Sequence, residues 1–193
     1  MIYDCVKHFA GFLDREAQES MVSALREAVL AAPLFIPLMP RTGRPFSVRM
    51  TNMGTLGWVS DRNGYRYQAA HPDLGTSWPV MPEIVLDVWR KVANYAALPE
   101  ACLVNFYQGG AKMGLHQDKD EEDFAAPVVS ISLGDTALFR FGGTPVHSAD
   151  AQNGPAVFRA HDQYGDSRLG VRPQWLSLSG GASRFGNVLA CHA

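Results

Sequence analysis

The chain has 193 residues, enough for one domain or two small ones, and is 47% hydrophobic against 19% charged, an ordinary globular balance. Its formal net charge is -2 and its pI about 6.3, so no bulk basic field draws it to nucleic acid and any such contact must rest on a local patch. Cys5, Cys102 and Cys191 are too scattered for a disulfide framework or a cysteine zinc site, which suits a reducing cytoplasm; "MIYDCVKHFAGFL" carries neither a signal peptide nor an apolar span.

The first expected element is an amphipathic helix that opens at Asp14, a good N-cap, and stops before Pro33. Ala17, Met21, Ala24, Leu25, Ala28 and Ala32 recur along it at helical spacing. "PLFIPLMPRTGRPF" follows, with four prolines and a glycine, and reads as loop. A second helix is expected over Glu83 to Ala97, with Ile84, Val88, Trp89 and Val92 on one face. "ACLVNFY", "PVVSISL" and "ALFRF" then read as short strands, the last two joined through "LGDTA" as a hairpin over Val128 to Phe141. From Thr144 onward only "QWLSL" reads as a weak strand. Two helices before a run of strands predict an α+β fold, with helices on one side of a mainly antiparallel sheet or barrel.

Chemistry concentrates in "GLHQDKDEEDF". His116 and Asp118 stand two apart, and imidazole nitrogen with carboxylate oxygen suits Fe(II), where one more distant histidine completes a facial triad with open positions. A solvated acidic loop also produces H-x-D, so the spacing alone leaves both readings open. Just upstream, Asn105 and Tyr107 occupy alternate strand positions and face one side, offering an amide and a phenol to a carboxylate co-substrate. Gly109, Gly110 and Gly114 let the backbone bend close to a bound group. Arg49, Arg62, Arg66 and Lys112 are candidates for a local phosphate-binding patch.

The stretch "CLVNFYQGGAKMGLHQDKDEEDFAAPVVSISLGDTALFRFGG" closely resembles the AlkB family of Fe(II)- and 2-oxoglutarate-dependent dioxygenases, of the bacterial DNA-repair type. Upstream, "FSVRMTNMGTLGWVSDRNGYRYQ" is similar to that family's nucleotide-recognition lid, "SWPVMP" to the stretch after it, and "HFAGFLD" to its usual opening. The resemblance covers residues 7–143 and implies a double-stranded β-helix, a jelly-roll or cupin-like core, with N-terminal helices packed on one sheet. It implies a single domain with an N-terminal extension and helix over 1–50 and a lid over 51–82. The second helix and first half of the β core would fill 83–143, and 144–193 would be a divergent or frameshifted part.

The resemblance further implies that His116 and Asp118 ligate iron and that Asn105, Phe106 and Tyr107 line the 2-oxoglutarate site. Trp58, Tyr65, Arg66 and Tyr67 would hold the nucleotide and its phosphate, and Asp120 would contact the lesion base. Flat aromatic rings suit that task because a flipped base needs replacement for its lost stacking; otherwise Trp58 and Tyr65 would be plain core or loop aromatics. The implied activity is oxidative demethylation of alkylated bases with Fe(II), 2-oxoglutarate and O2, releasing formaldehyde and succinate. The implied partner is single- or double-stranded DNA, or RNA, for a cytoplasmic monomer with no membrane contact. An oxygenase acting on a small molecule or protein is a further reading, opposed by the Trp58 and Tyr65 lid.

The pattern departs from the family after Gly143. The family places an arginine where Val146 stands, a second iron histidine after a "GG-x-SRL" stretch, and a closing strand whose two arginines clamp the 2-oxoglutarate carboxylates. "GDSRLGVRP" at Gly165 to Pro173 and "GGASRFGNVLACHA" at Gly180 to Ala193 echo the stretch incompletely. His147 is too near the hairpin, which leaves His161 and His192 as candidates for the third ligand. A shifted reading frame after Gly143 and a divergent C-terminus both account for the break. The alternative function is then a catalytically impaired remnant that at most binds nucleic acid, with a sheet left open at its edges.

Overall fold

The computed structural model describes Lys7 and residues 9–114 and 125–134, together with the backbone of strand segments 137–141, 156–159, 176–180 and 186–192. Helix α1 spans Arg15–Ala31 and starts as its sequence dictates, the Asp14 carboxylate accepting the Ala17 N–H at 2.8 Å. Met21, Leu25, Ala28 and the following Ala32 are its buried positions. Three strands come next, β1 (Arg49–Gly54), β2 (Gly57–Asp61) and β3 (Gly64–Gln68), where helix-first ordering had placed none. Helix α2 covers Glu83–Val92, shorter than expected, because the chain leaves helical geometry at Asn94, whose φ is +49°. Its buried face is Val85, Val88 and Trp89, with Ile84 and Val92 half-buried beside them.

Beyond α2 lie β4 (Ala101–Tyr107), β5 (Val129–Gly134), β6 (Ala137–Phe141), β7 (Ala156–Arg159), β8 (Leu176–Gly180) and β9 (Gly186–His192). One sheet has the order β1-β4-β9-β5 and a second the order β7-β6-β8, while β2 and β3 pair only with each other; every pairing is antiparallel. The expected hairpin over Val128 to Phe141 is therefore not one. Its two strands exist but belong to different sheets. Gly134, with φ at +93°, turns the chain out of the first sheet as β5 ends. The tail also differs from expectation. It contributes three strands, and β9 fills the slot between β4 and β5 that the missing closing strand was expected to leave open. Ladder pairing is made by backbone groups, and "GNVLACH" supplies enough apolar β-formers to take that place without the expected clamp motif.

Two packed cores flank the first sheet. On one face Met53, Cys102, Val104, Val129, Ile131 and Leu133 meet Met21 and Leu25 of α1 and Val85, Val88 and Trp89 of α2. On the other, Met50, Leu103 and Tyr107 meet Val48, Val59, Phe46 and Trp58. The strand alternation sends neighbouring residues of β4 into different cores, which is what makes its inner face available to a site.

His71 fastens the loop after β3 to the loop after α1. Its ring is 2% exposed, donates from Nε2 to the Pro33 carbonyl at 2.8 Å, and accepts at Nδ1 from the Asp73 and Leu74 amides at 3.1 and 3.3 Å. It also lies against Phe35 and Trp78, with centroids 5.5 and 5.2 Å away. His71→Ala leaves three backbone groups without their partner and opens a cavity. We expect a loss of roughly 2–4 kcal/mol, read as a lowered urea midpoint at unchanged m-value.

Candidate functional site

β4 presents its inner face between β1 and β9, and Asn105 and Tyr107 lie on it two residues apart. Both are 4% exposed, and the Asn105 Oδ1 and Tyr107 Oη atoms are buried with no hydrogen-bond partner. Leaving a buried polar atom unmatched costs about 1–3 kcal/mol, so two adjacent ones on one face mark a place built for a polar ligand. Burial alone holds the Tyr107 phenol well above its ordinary pKa, so near neutrality it is a hydrogen-bond donor. Ala111 and Met113 pack near Tyr107 in the same core. Gly109 and Gly110, at φ +46° and +77°, make the turn that leads there. A Cβ at either would touch nothing within 4 Å, so these two glycines serve the turn and not a close approach.

Phe106, grouped with them by sequence, points the other way. Its ring lies under the Arg49 guanidinium, 4.9 Å from centroid to Cζ, and Arg49 also donates to the Gln108 side-chain carbonyl at 3.0 Å.

The β2–β3 hairpin carries the aromatic candidates. Trp58 and Tyr65 sit diagonally across the pair and stack with centroids 5.5 Å apart and planes at 20°. Tyr65 is 48% exposed, and Phe46 packs on Trp58 at 6.3 Å. Tyr67 is directly opposite Trp58 in the register. Trp58 is positioned by a residue the sequence reading passed over. The Asn52 amide accepts the Trp58 N–H and donates to the Trp58 carbonyl, both at 3.0 Å, while fully buried. Nothing inside "RMTNMG" marks the asparagine for this role, because its partner lies on the next strand.

Arg66 lies on the opposite side of the hairpin from Tyr65 and Tyr67. Its guanidinium forms a two-point pair with Asp61, at 3.0 and 2.8 Å, and donates to Gln68 at 3.0 Å. The pair lowers the Asp61 carboxyl below its usual range and raises Arg66, so this arginine is committed within the fold. His116, Asp118, Asp120 and His161 lie outside the described residues, and no cluster of three or more metal-ligating side chains occurs among the described ones. His192 pairs with Ala101, whereas Gly186 pairs with Tyr107. Its backbone is thus about 20 Å of strand from the Tyr107 end of the sheet.

Against known proteins, residues 5–169 match the model of the 2OG-Fe(II) oxygenase superfamily. The chain is 38% identical over 168 residues to the alpha-ketoglutarate-dependent dioxygenase AlkB of Escherichia coli, covering 81% of this chain and 76% of that protein. It belongs to the AlkB family. An AlkB homolog of Caulobacter vibrioides is 50% identical over 133 residues, 69% of this chain; the aligned part spans 60% of that relative's length. The solved structure of OsALKBH1 superposes with a TM-score of 0.66 at 24% identity, covering 94% of both chains, and shows that this AlkB-family chain has the same fold. The two antiparallel sheets are accordingly the jelly-roll core expected of the family. Among the described residues no helix is long and apolar enough to cross a membrane.

Proposed function

We propose that this AlkB-family chain catalyses Fe(II)- and 2-oxoglutarate-dependent oxidative demethylation of alkylated nucleic-acid bases. The observation that carries the reading is the pair of orphaned buried polar atoms on β4, Asn105 Oδ1 and Tyr107 Oη. A dicarboxylic keto acid offers acceptor oxygens to donors on this face. The phenol donates to a carboxylate, and the Asn105 amide, rotated about its last bond, presents N–H2 where the oxygen now lies. His116 and Asp118, nine and eleven residues past Tyr107, are the residues assigned to iron, an N,O pair suited to that metal.

Iron with 2-oxoglutarate supplies oxidation of a C–H bond by O2: one oxygen atom enters succinate as CO2 leaves, and the other converts N–CH3 to N–CH2OH. That hemiaminal releases formaldehyde and returns the N–H of the base. The protein's part is to hold the base. We assign Trp58 and Tyr65, with Tyr67 behind them, as the aromatic surface that takes over its stacking, on a β2–β3 hairpin serving as the nucleotide-recognition lid. Asp120 is assigned to the exocyclic edge of the base. Arg66 does not reach a phosphate in this reading, because Asp61 holds it.

The test is succinate and formaldehyde release from an N-methylated oligonucleotide with Fe(II), for the wild type and for His116→Ala. We expect turnover in the first and none in the second. Equal turnover in both, or none in the wild type, would sink the enzymatic reading and leave a chain that at most binds nucleic acid.

A further inference from the structure

Charge is unevenly distributed. Residues 33–72 contain Arg41, Arg44, Arg49, Arg62 and Arg66 with no lysine and a single acid, Asp61, inside a chain of net charge -2. Two of the five are committed, Arg66 to Asp61 and Arg49 to Gln108 and the Phe106 ring. Arg41, Arg44 and Arg62 are exposed and take part in no ion pair among the described residues.

Arg62 reaches across to the turn that carries Arg41 and Arg44. Residues 38–45 fold back on themselves through the Leu38–Pro45 bridge, the Arg44 carbonyl accepting the Met39 N–H at 2.8 Å and the Met39 carbonyl the Gly43 N–H at 2.7 Å. This turn is tied to β2 from both sides of Leu38: its N–H donates to the Ser60 carbonyl at 2.9 Å and its carbonyl accepts the Ser60 hydroxyl at 2.6 Å. At the tip, Gly43 has φ +65°, and a Cβ built there would lie 3.2 Å from Nε of Arg62. The Arg62 guanidinium therefore lies across Gly43, beside Arg44 and two residues from Arg41. Gathering these cations around one turn costs repulsion, and Asp61, the single acid of residues 33–72, is paired with Arg66. Trp58 is on β2 and Arg62 is the first residue past its end, four residues or roughly 13 Å of extended chain away.

We propose that Arg41, Arg44 and Arg62 form a phosphate rail for the single-stranded backbone flanking the base held at Trp58 and Tyr65. The proposal rests on the nucleic-acid part of the function above and adds which cations hold the strand. Arginine suits the role because its planar fork meets phosphate oxygens at two points. The pair Asp61–Arg66 keeps the one acid of residues 33–72 from competing.

The test is fluorescence anisotropy with a labelled, unmethylated single-stranded oligonucleotide across a salt series. The wild type is compared with Arg41→Gln/Arg44→Gln/Arg62→Gln and with Arg15→Gln/Arg26→Gln/Lys91→Gln, which removes equal charge on the helices. Each lost phosphate contact removes about 0.7 from the slope of log K against log salt, so the rail variant should lose about 2 and bind at least roughly tenfold more weakly at low salt. The helix variant should keep the wild-type slope. Equal behaviour of the two triple variants, an unchanged slope in the rail variant, or tighter wild-type binding to poly-glutamate than to the oligonucleotide would each overturn the rail. If the triple variant melts early, Arg44→Gln alone should remove about 0.7 from the slope, and no change there overturns the rail equally. Turnover of an N-methylated nucleoside monophosphate, too short to reach the rail, reports separately on the chemistry. It should be the same in wild type and rail variant, and its absence in the wild type would fail the enzymatic reading alone.

Discussion

Gly54→Ala should lower stability by roughly 3–5 kcal/mol, about 10 °C or more in melting temperature for a chain of this length, the sum of backbone strain and overpacking. Gly54 ends β1 at φ +119°, a backbone conformation that L side chains rarely adopt. Space is the larger obstacle. A Cβ there would sit 2.2 Å from the Glu100 carbonyl oxygen and 2.7 Å from Cε of Met81. The methionine end can swing away, but the Glu100 carbonyl also accepts the Leu56 N–H and the Thr55 hydroxyl and immediately precedes β4. Relief of the clash therefore moves β4 against β1, and with it the face that carries Asn105 and Tyr107. Gly64→Ala separates the two causes. Its φ is +112°, nearly the same, yet a Cβ there meets nothing within 4 Å. It should cost only the strain, about 1–3 kcal/mol. Equal losses at both positions in chemical denaturation would refute the steric account.

The legible parts of the fold were those whose determinants are local. Asp14 caps α1, and its apolar spacing names Met21, Leu25 and Ala28 correctly as the buried stripe. β4 and β5 announce themselves by β-branched and aromatic residues between turn signals. What stayed hidden depends on partners far along the chain. β1 contains Arg49, Thr51 and Asn52, and its polar residues are buried only because Thr51 donates to the Ala32 carbonyl and Asn52 pairs with the Trp58 backbone. No window of six residues shows that. The Val128 to Phe141 segment was legible as two strands but not as members of different sheets, since pairing is decided by β9 and β8 from the tail. The site divides the same way. Alternation puts Asn105 and Tyr107 on one side, whereas the resemblance assigns Phe106 and Arg66 by segment, and strand geometry turns each to the face opposite its neighbours. Of the cations proposed for the phosphate rail, Arg41 and Arg44 come from a stretch that reads only as proline-rich loop.

Tyr107→Phe should move two properties in opposite directions. In the ligand-free protein the change removes a buried hydroxyl without a partner and leaves the ring in place, so stability should hold or rise by up to about 1 kcal/mol, a few degrees in melting temperature. With 2-oxoglutarate the same change removes a donor to a carboxylate, worth about 1.5–3 kcal/mol, so the 2-oxoglutarate KM should rise roughly 10- to 100-fold. Asn105→Ala should raise that KM similarly but lower stability, because it also empties volume beside Met50, its partner on β1. The thermal shift produced by added 2-oxoglutarate should shrink in both variants, a readout that needs no turnover. A structural role for the pair predicts the reverse: a less stable Tyr107→Phe with wild-type affinity. Alkaline pH gives an independent check on burial. Burial raises the Tyr107 phenol above its ordinary value in the fold, but it ionises at about pH 10 once unfolded. Above about pH 10 the unfolded chain therefore holds fewer protons than the folded one, and stability falls as pH rises. Below that pH both forms keep the proton, and the contribution is fully present. Tyr107→Phe should flatten that part of the alkaline decline, and a wild type and variant that lose stability in parallel above pH 10 would show that the phenol is not held neutral by burial.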